Sequence, residues 1–247
     1  NKGKYVTKQL DILDFPRVEH YLNELRPAIV INCIGLLVQQ SRNNIPTAIL
    51  INSYFPHFLS DLGSTLNFKL INISTDCVFS GKEGQYKEDD FRDGDDIYAR
   101  TKALGEIINN KDLTIRTSIV GPELKKNGVG ILGWFFEQSG EINGYTQAYW
   151  SGVTSLELAK ATNQLIKQSI TGLFQLCPEQ KISKYDLLHL FAKIWDKNIT
   201  IIPFENYSFD KSLINTRKDF KYYKLDYNIM LIELRQWIEN NQDLYNK

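Results

Sequence analysis

The sequence has little sulfur chemistry to offer. Its three cysteines, Cys33, Cys77 and Cys177, are odd in number, far apart, and form no CxxC pair. That excludes a disulfide framework and points to a reducing, cytoplasmic setting. The three histidines, His20, His57 and His189, stand in no ligand spacing, so no metal site is expected. Charge of one sign is also lacking: 29 Lys and Arg balance 29 Asp and Glu. A nucleic-acid groove or an anionic-membrane surface would need a basic surplus, so neither partner is expected. No apolar run approaches the ~18 residues that a membrane span requires. No signal-peptide pattern opens the sequence.

What is present is an ordinary globular composition, with 43% hydrophobic and 12% aromatic residues, too apolar for large-scale disorder. Short apolar runs alternate with longer amphipathic ones. Ala28 to Ile34, Phe68 to Ser74 and Leu113 to Ser118 are apolar on both faces, as strands of a covered parallel sheet must be. Between them, helical patterns run from Thr47 to Leu62, with a kink expected at Pro56, and from Ile97 to Asn109, with Asp95 or Asp96 as N-cap. A further helix precedes them from Phe15 to Leu25. The second half continues with a helix from Ser155 to Gln168, a strand from Gly172 to Leu176, and a helix capped by Ser183. A short strand follows at Ile199 to Ile202, then a closing helix from Asn228 to Asn240. The segment Gly121 to Trp150, rich in glycine and aromatics, reads as loops and a short helix. The alternation predicts an α/β fold: a doubly wound, Rossmann-like parallel sheet with helices on both faces and a smaller C-terminal α+β lobe.

One constellation carries chemistry. Ser74-Thr75-Asp76 comes off the end of an apolar strand, and Tyr98 and Lys102 open the next helix in a YxxxK spacing. Positions i and i+4 share a helical face. An ammonium beside a phenol favours the phenolate and lowers the tyrosine pKa, which suits Tyr98 to proton transfer near neutral pH. YxxxK by itself is a common chance match. YxxxK after a strand ending in Ser-Thr-Asp is far more specific.

At these residues the chain resembles the extended short-chain dehydrogenase/reductases, and among them the dTDP-4-dehydrorhamnose reductase-like nucleotide-sugar reductases. The resembling blocks are Leu10 to Ile12, Val30 to Cys33, Ile73 to Phe79, Tyr98 to Glu106 and Arg116 to Gly121, with a later block around Gly152 to Thr154. The resemblance implies that Thr75, Tyr98 and Lys102 are catalytic. It also implies that NADP or NAD lies along Asp11, Ile12, Cys33, Ile34 and Gly35, with Lys102 on the nicotinamide ribose. The substrate implied is a nucleotide-linked 4-keto-6-deoxysugar made into surface polysaccharide. Ser74, Asp76, Trp150 and Arg217 are its candidate contacts, and Asn52 matches a helix asparagine of the family. Residues 1–122 and 147–180 would form the dinucleotide-binding domain, and 123–146 and 181–247 the substrate lobe. A homodimer is a further expectation.

Two departures stand out. Up to residue 35 only Gly3 and Gly35 occur, so the GxxGxxG turn of a dinucleotide fold is missing. A sheet lacking its central strand would expose two raw edges, so the expectation is that this strand and its glycine loop lie upstream of Asn1. The other departure is Cys77. Sugar 4,6-dehydratases of the same superfamily carry glutamate there as base, and cysteine favours the reductase branch. A non-catalytic binding subunit on the same fold, or an epimerase or dehydratase, remains the alternative.

Overall fold

The computed structural model describes residues 8–123, 128, 130–220, 222–223 and 225–245. Helix α1 (Phe15–Leu25) starts where Asp14 accepts a hydrogen bond from Arg17 N, with proline inside the first turn. Its apolar face, Val18 and Leu22, packs with Phe55, Leu59 and Leu62 against Phe68 and Leu70. Strand β1 (Ile29–Asn32) is followed by α2 (Val38–Asn43). The next helical run, α3 (Ile45–Ala48) and α4 (Phe55–Leu66), passes through a π-helical turn, Ile49–Tyr54. Pro56 sits immediately beyond that turn. Phe55 N donates to Leu50 O, five residues back, and the wider turn takes in a proline that has no N–H to give.

Strand β2 (Lys69–Thr75) ends in a single 3-10 turn, Asp76–Val78. Helix α5 (Ile97–Leu104) is shorter than the sequence pattern suggested. It is followed by Gly105, where the chain passes so close to the π turn that a Cβ would lie 1.9 Å from the Asn52 carbonyl oxygen. Gly105→Ala is therefore expected to destabilise the protein by about 1–3 kcal/mol, the usual range for overpacking. An unchanged urea midpoint would contradict this close approach.

Strands β3 (Leu113–Thr117) and β4 (Ile119–Val120) come next, then α6 (Ile131–Glu137). The segment read from sequence as loops with a short helix ends instead in a ten-residue strand, β5 (Glu141–Trp150). Its burial alternates along its length, with Ile142, Gly144, Ala148 and Trp150 inward, a period-two pattern that the glycine and polar residues obscured. Strand β6 (Val153–Thr154), α7 (Ser155–Lys167), β7 (Gly172–Gln175), β8 (Ile182–Ser183) and α8 (Lys184–Ile194) follow. Strand β9 (Thr200–Asp210) is far longer than the four residues expected, because it pairs with β5 from Glu141 to Tyr149 through an irregularity between Tyr145 and Gln147. Helix α9 (Tyr227–Asn240) and a single last turn, α10 (Gln242–Tyr245), follow.

The main sheet has the order β1-β2-β3-β7, and β1 pairs with β2 in parallel, Ile29 opposite Lys69. Together with its flanking helices it is a doubly wound parallel core. The chain divides into two compact units. One holds the residues up to Ser74, with Gly94–Ile115 and Thr171–Leu173. The other holds Thr75–Asp93, Arg116–Ile170 and the residues from Phe174 onward. Inside the second unit, β8-β5-β9 forms a three-stranded sheet. Its apolar face packs on Leu132, Phe135, Leu187, Phe191 and Leu231. No helix among the described residues is long and apolar enough to cross a membrane.

Candidate active site

Helix α5 presents Tyr98 and Lys102. Its start is fixed by Asp96, whose side chain accepts from Ala99 N at 2.7 Å, so the cap sits at one of the two aspartates expected. Tyr98 is half-buried one turn before Lys102. Lys102 is 6% exposed. Its Nζ donates to the Ile73 carbonyl oxygen at 2.8 Å, a single hydrogen bond among the described residues for a group with three donors. Burial lowers its pKa to about 8, against the opposing pull of Glu106 and Cys33.

Three more residues gather around this lysine. Glu106, just beyond the helix, is buried and accepts from Ser74 Oγ at 2.7 Å. The Ser74 hydroxyl thus spends its proton beneath α5. Cys33 keeps an exposed surface at the end of β1. Desolvation of its sulfur raises the thiol pKa, while Lys102 draws it down.

A buried asparagine ladder holds this arrangement. Asn32 Nδ2 donates to Asn72 Oδ1 at 2.9 Å, and Asn72 Nδ2 donates to the Gly105 carbonyl at 3.0 Å. The Asn32 oxygen meanwhile accepts from Ile34 N. The loop after β1 and the end of α5 are therefore tied through two strand residues. Asn52 makes a second clamp: its side chain bonds both the N–H and the carbonyl of Leu36, and also Thr101 Oγ1. Gly35 lies against it, with Ile34 exposed beside it. Asp11 is exposed and caps its own turn by accepting from Leu13 N, and Ile12 packs at the edge of the α1 cluster. Asn72 and Glu106 escaped the sequence reading. The signal available was an asparagine in the middle of each of two apolar strands, which a folded chain must partner.

In the second unit, Thr75 caps the 3-10 turn. Its Oγ1 accepts from Cys77 N at 3.1 Å and donates to Asp76 Oδ1 at 3.2 Å. Asp76 is 5% exposed. Burial raises its pKa, opposed by Lys211, by Lys184 and by hydrogen bonds from Thr75 and Cys77. The Cys77 thiol is pushed up to about 12 by burial and by Asp76, so it is no base at neutral pH. Trp150 is 5% exposed in the core of this unit, 5.9 Å from the Tyr227 ring. Arg217 is held by Asp219 and borders a cavity of about 390 Å³, shared with Phe174, Cys177 and Tyr222.

The comparisons with known proteins converge. The family model of the RmlD substrate binding domain matches residues 3–244, so the chain belongs to that family. It is 32% identical over 164 residues to the spore coat polysaccharide biosynthesis protein SpsK of Bacillus subtilis, covering 64% of this chain and 58% of that protein. It is 27% identical over 195 residues to the dTDP-4-dehydrorhamnose reductase of Aggregatibacter actinomycetemcomitans, covering 72% of this chain and 65% of the relative. The chain thus spans less than two thirds of either relative's length. Among solved structures, the dTDP-4-dehydrorhamnose reductase of Bacillus anthracis in complex with NADP superposes with a TM-score of 0.81 at 21% identity. That match covers 92% of this chain and 87% of the other.

Proposed function

We propose that the protein reduces the 4-keto group of a nucleotide-linked 6-deoxysugar with NADPH or NADH, in the making of a surface polysaccharide. The observation that carries this reading is the α5 pair: Tyr98 one turn from a buried lysine that is held on the Ile73 carbonyl and has donors to spare. The names of the two relatives, a polysaccharide biosynthesis protein and a dTDP-4-dehydrorhamnose reductase, support the substrate class.

The residues fit the nicotinamide-ribose end of a dinucleotide. Lys102 offers its remaining N–H donors to ribose hydroxyls, beside the exposed turn Cys33-Ile34-Gly35. When bound, the cofactor supplies a hydride. The chain's own part is the proton. Tyr98 gives its phenolic proton to the sugar C4 oxygen, and the Lys102 ammonium stabilises the phenolate left behind. The Thr75 hydroxyl, whose proton lies on Asp76 Oδ1, would have to turn from that carboxylate to bond substrate. Ser74 and Glu106 act from behind, fixing the strand end and the helix end.

Cys77 favours reduction over elimination, since a thiol near pKa 12 does not abstract a proton from C5. The expected result is one reduced nicotinamide oxidised for each 4-keto-6-deoxy nucleotide sugar consumed, followed by loss of nicotinamide absorbance. Conversion of a nucleotide hexose with no net change in cofactor would identify a dehydratase or epimerase instead.

A further inference from the structure

A fully buried glutamine ends strand β7. Gln175 is 0% exposed, and a side-chain amide in that setting costs stability unless its polar atoms are bonded. Nε2 donates one N–H to the Tyr86 carbonyl and the other to the Ile214 carbonyl, both at 2.8 Å. Oε1 accepts from Arg116 Nη1 at 3.1 Å. The reversed amide would set its oxygen against two carbonyls and its N–H groups against a guanidinium, so the network admits one orientation.

The segments that meet at this amide belong to one unit but lie far apart in sequence. Tyr86 sits in the loop that leaves Thr75 and Asp76 through the 3-10 turn. Its ring stacks on Phe79 at 4.1 Å, and the Arg116 guanidinium lies 4.9 Å from the Phe79 centroid. Ile214 sits in the segment that leads to Arg217. These two stretches run side by side: Tyr86 N donates to the Ser212 carbonyl at 2.9 Å, and Ile214 N donates to the Tyr86 carbonyl at 2.8 Å. The Tyr86 oxygen therefore takes one bond from the Ile214 main chain and one from Gln175. The Gln175 carbonyl in turn accepts from Asn215 Nδ2 at 2.6 Å, and Asn215 Oδ1 accepts from Arg217 N at 2.9 Å. So the backbone at Arg217 is set, through one asparagine, from Gln175. An outer tie lies at the surface, where Thr216 Oγ1 donates to Glu88 Oε2 at 2.6 Å. Gln175, Asn215 and Arg217 all border the cavity of about 390 Å³.

Two short stretches joined by a few main-chain bonds are the kind of contact that opens locally. A buried fork that donates to both at once raises the cost of opening. We propose that Gln175 is a positioning residue of the substrate site, holding the segment that carries Arg217 at a fixed spacing from the turn that carries Thr75 and Asp76. This deepens the nucleotide-sugar reading and rests on it, since Asp76 and Arg217 are substrate contacts only under that reading. Where the two stretches part, substrate affinity falls in proportion to the closed fraction.

The test is steady-state kinetics of the wild type, Gln175→Met and Thr216→Val with NADPH or NADH and the 4-keto-6-deoxy forms of dTDP-glucose and UDP-glucose. Methionine keeps the length of the side chain and removes both donors. It is expected to raise KM for the better sugar by about 10- to 100-fold, the equivalent of two lost hydrogen bonds with their carbonyls left unpaired. At saturating sugar kcat should stay within about threefold, because the bonds of Gln175 run to Tyr86, Ile214 and Arg116 rather than to α5. Thr216→Val cuts only the exposed outer tie and is expected to raise KM by about tenfold. It carries the test if thermal unfolding shows that the methionine variant does not fold. Unchanged KM in the folded methionine variant, or in Thr216→Val where methionine does not fold, overturns the proposal. So does a kcat that falls as far as KM rises, since Gln175 would then brace the fold as a whole. A wild type that reduces neither sugar defeats the nucleotide-sugar reading itself and takes this proposal with it.

Discussion

Tyr98→Phe is expected to lower turnover by about 10²–10⁴, the span usual for removing a positioned general acid, while leaving nicotinamide and nucleotide-sugar affinity nearly unchanged. The argument starts at the helix cap. Asp96 fixes the first turn of α5 through Ala99 N, so Tyr98 is set by backbone rather than by a loose side chain. Lys102 follows one turn later, anchored at its far end to the Ile73 carbonyl. Phenylalanine keeps the ring and its packing and removes only the acidic proton. The sugar C4 oxygen would then take its proton from water, without a phenolate stabilised by the adjacent ammonium. Steady-state turnover should collapse while cofactor Kd, read by nicotinamide fluorescence, stays put. Turnover close to wild type would remove Tyr98 from the chemistry. A matched loss of affinity and turnover would make it a binding residue.

How much of this was legible from the residues follows from what each element needs. Strand β2 and the start of α5 were, because their signals are local: an apolar run covered on both faces, and an aspartate cap three residues before the N–H it accepts. The turn after Thr75 was legible in outline, since a regular strand would have sent Thr75 and Asp76 to opposite faces. The 3-10 turn at Asp76–Val78 breaks that alternation. What failed were features set by partners distant in sequence. The glycine after α5, Gly105, is required by the Asn52 carbonyl, more than fifty residues earlier. Strands β5 and β9 exist at full length because they lie against each other, and neither Gly144 nor Pro203 advertises a strand when read singly. Buried polar groups were the hardest to read, since Asn32, Asn72 and Glu106 acquire meaning from one another rather than from their neighbours in sequence.

Lys102→Met separates function from stability in opposite directions. A lysine that is 6% exposed, with a pKa of about 8 against an ordinary 10.5, is charged at neutral pH at a cost to the fold. Between pH 8 and 10.5 the unfolded chain holds the proton that the native state has released, so stability rises with pH across that window. Below pH 8 both states are protonated and the full penalty is present, about 3 kcal/mol at 1.36 kcal/mol per pKa unit. Methionine removes that penalty. Glu106 loses its counter-charge in the exchange, which offsets part of the gain. The variant is therefore expected to melt at the same temperature as the wild type or higher at pH 7, with the difference shrinking as the pH is raised toward 10.5. Its turnover should nevertheless fall by about 10²-fold or more, because in the proposed mechanism the ammonium both orients the ribose and favours the Tyr98 phenolate. In the wild type, kcat/KM should decline as pH rises through about 8, where the free enzyme's Lys102 loses its charge. The variant should lack that limb. Lower stability at pH 7 together with unaltered kinetics per folded molecule would make Lys102 a structural residue, and a wild-type profile flat across pH 8 would show that its charge has no part in the reaction.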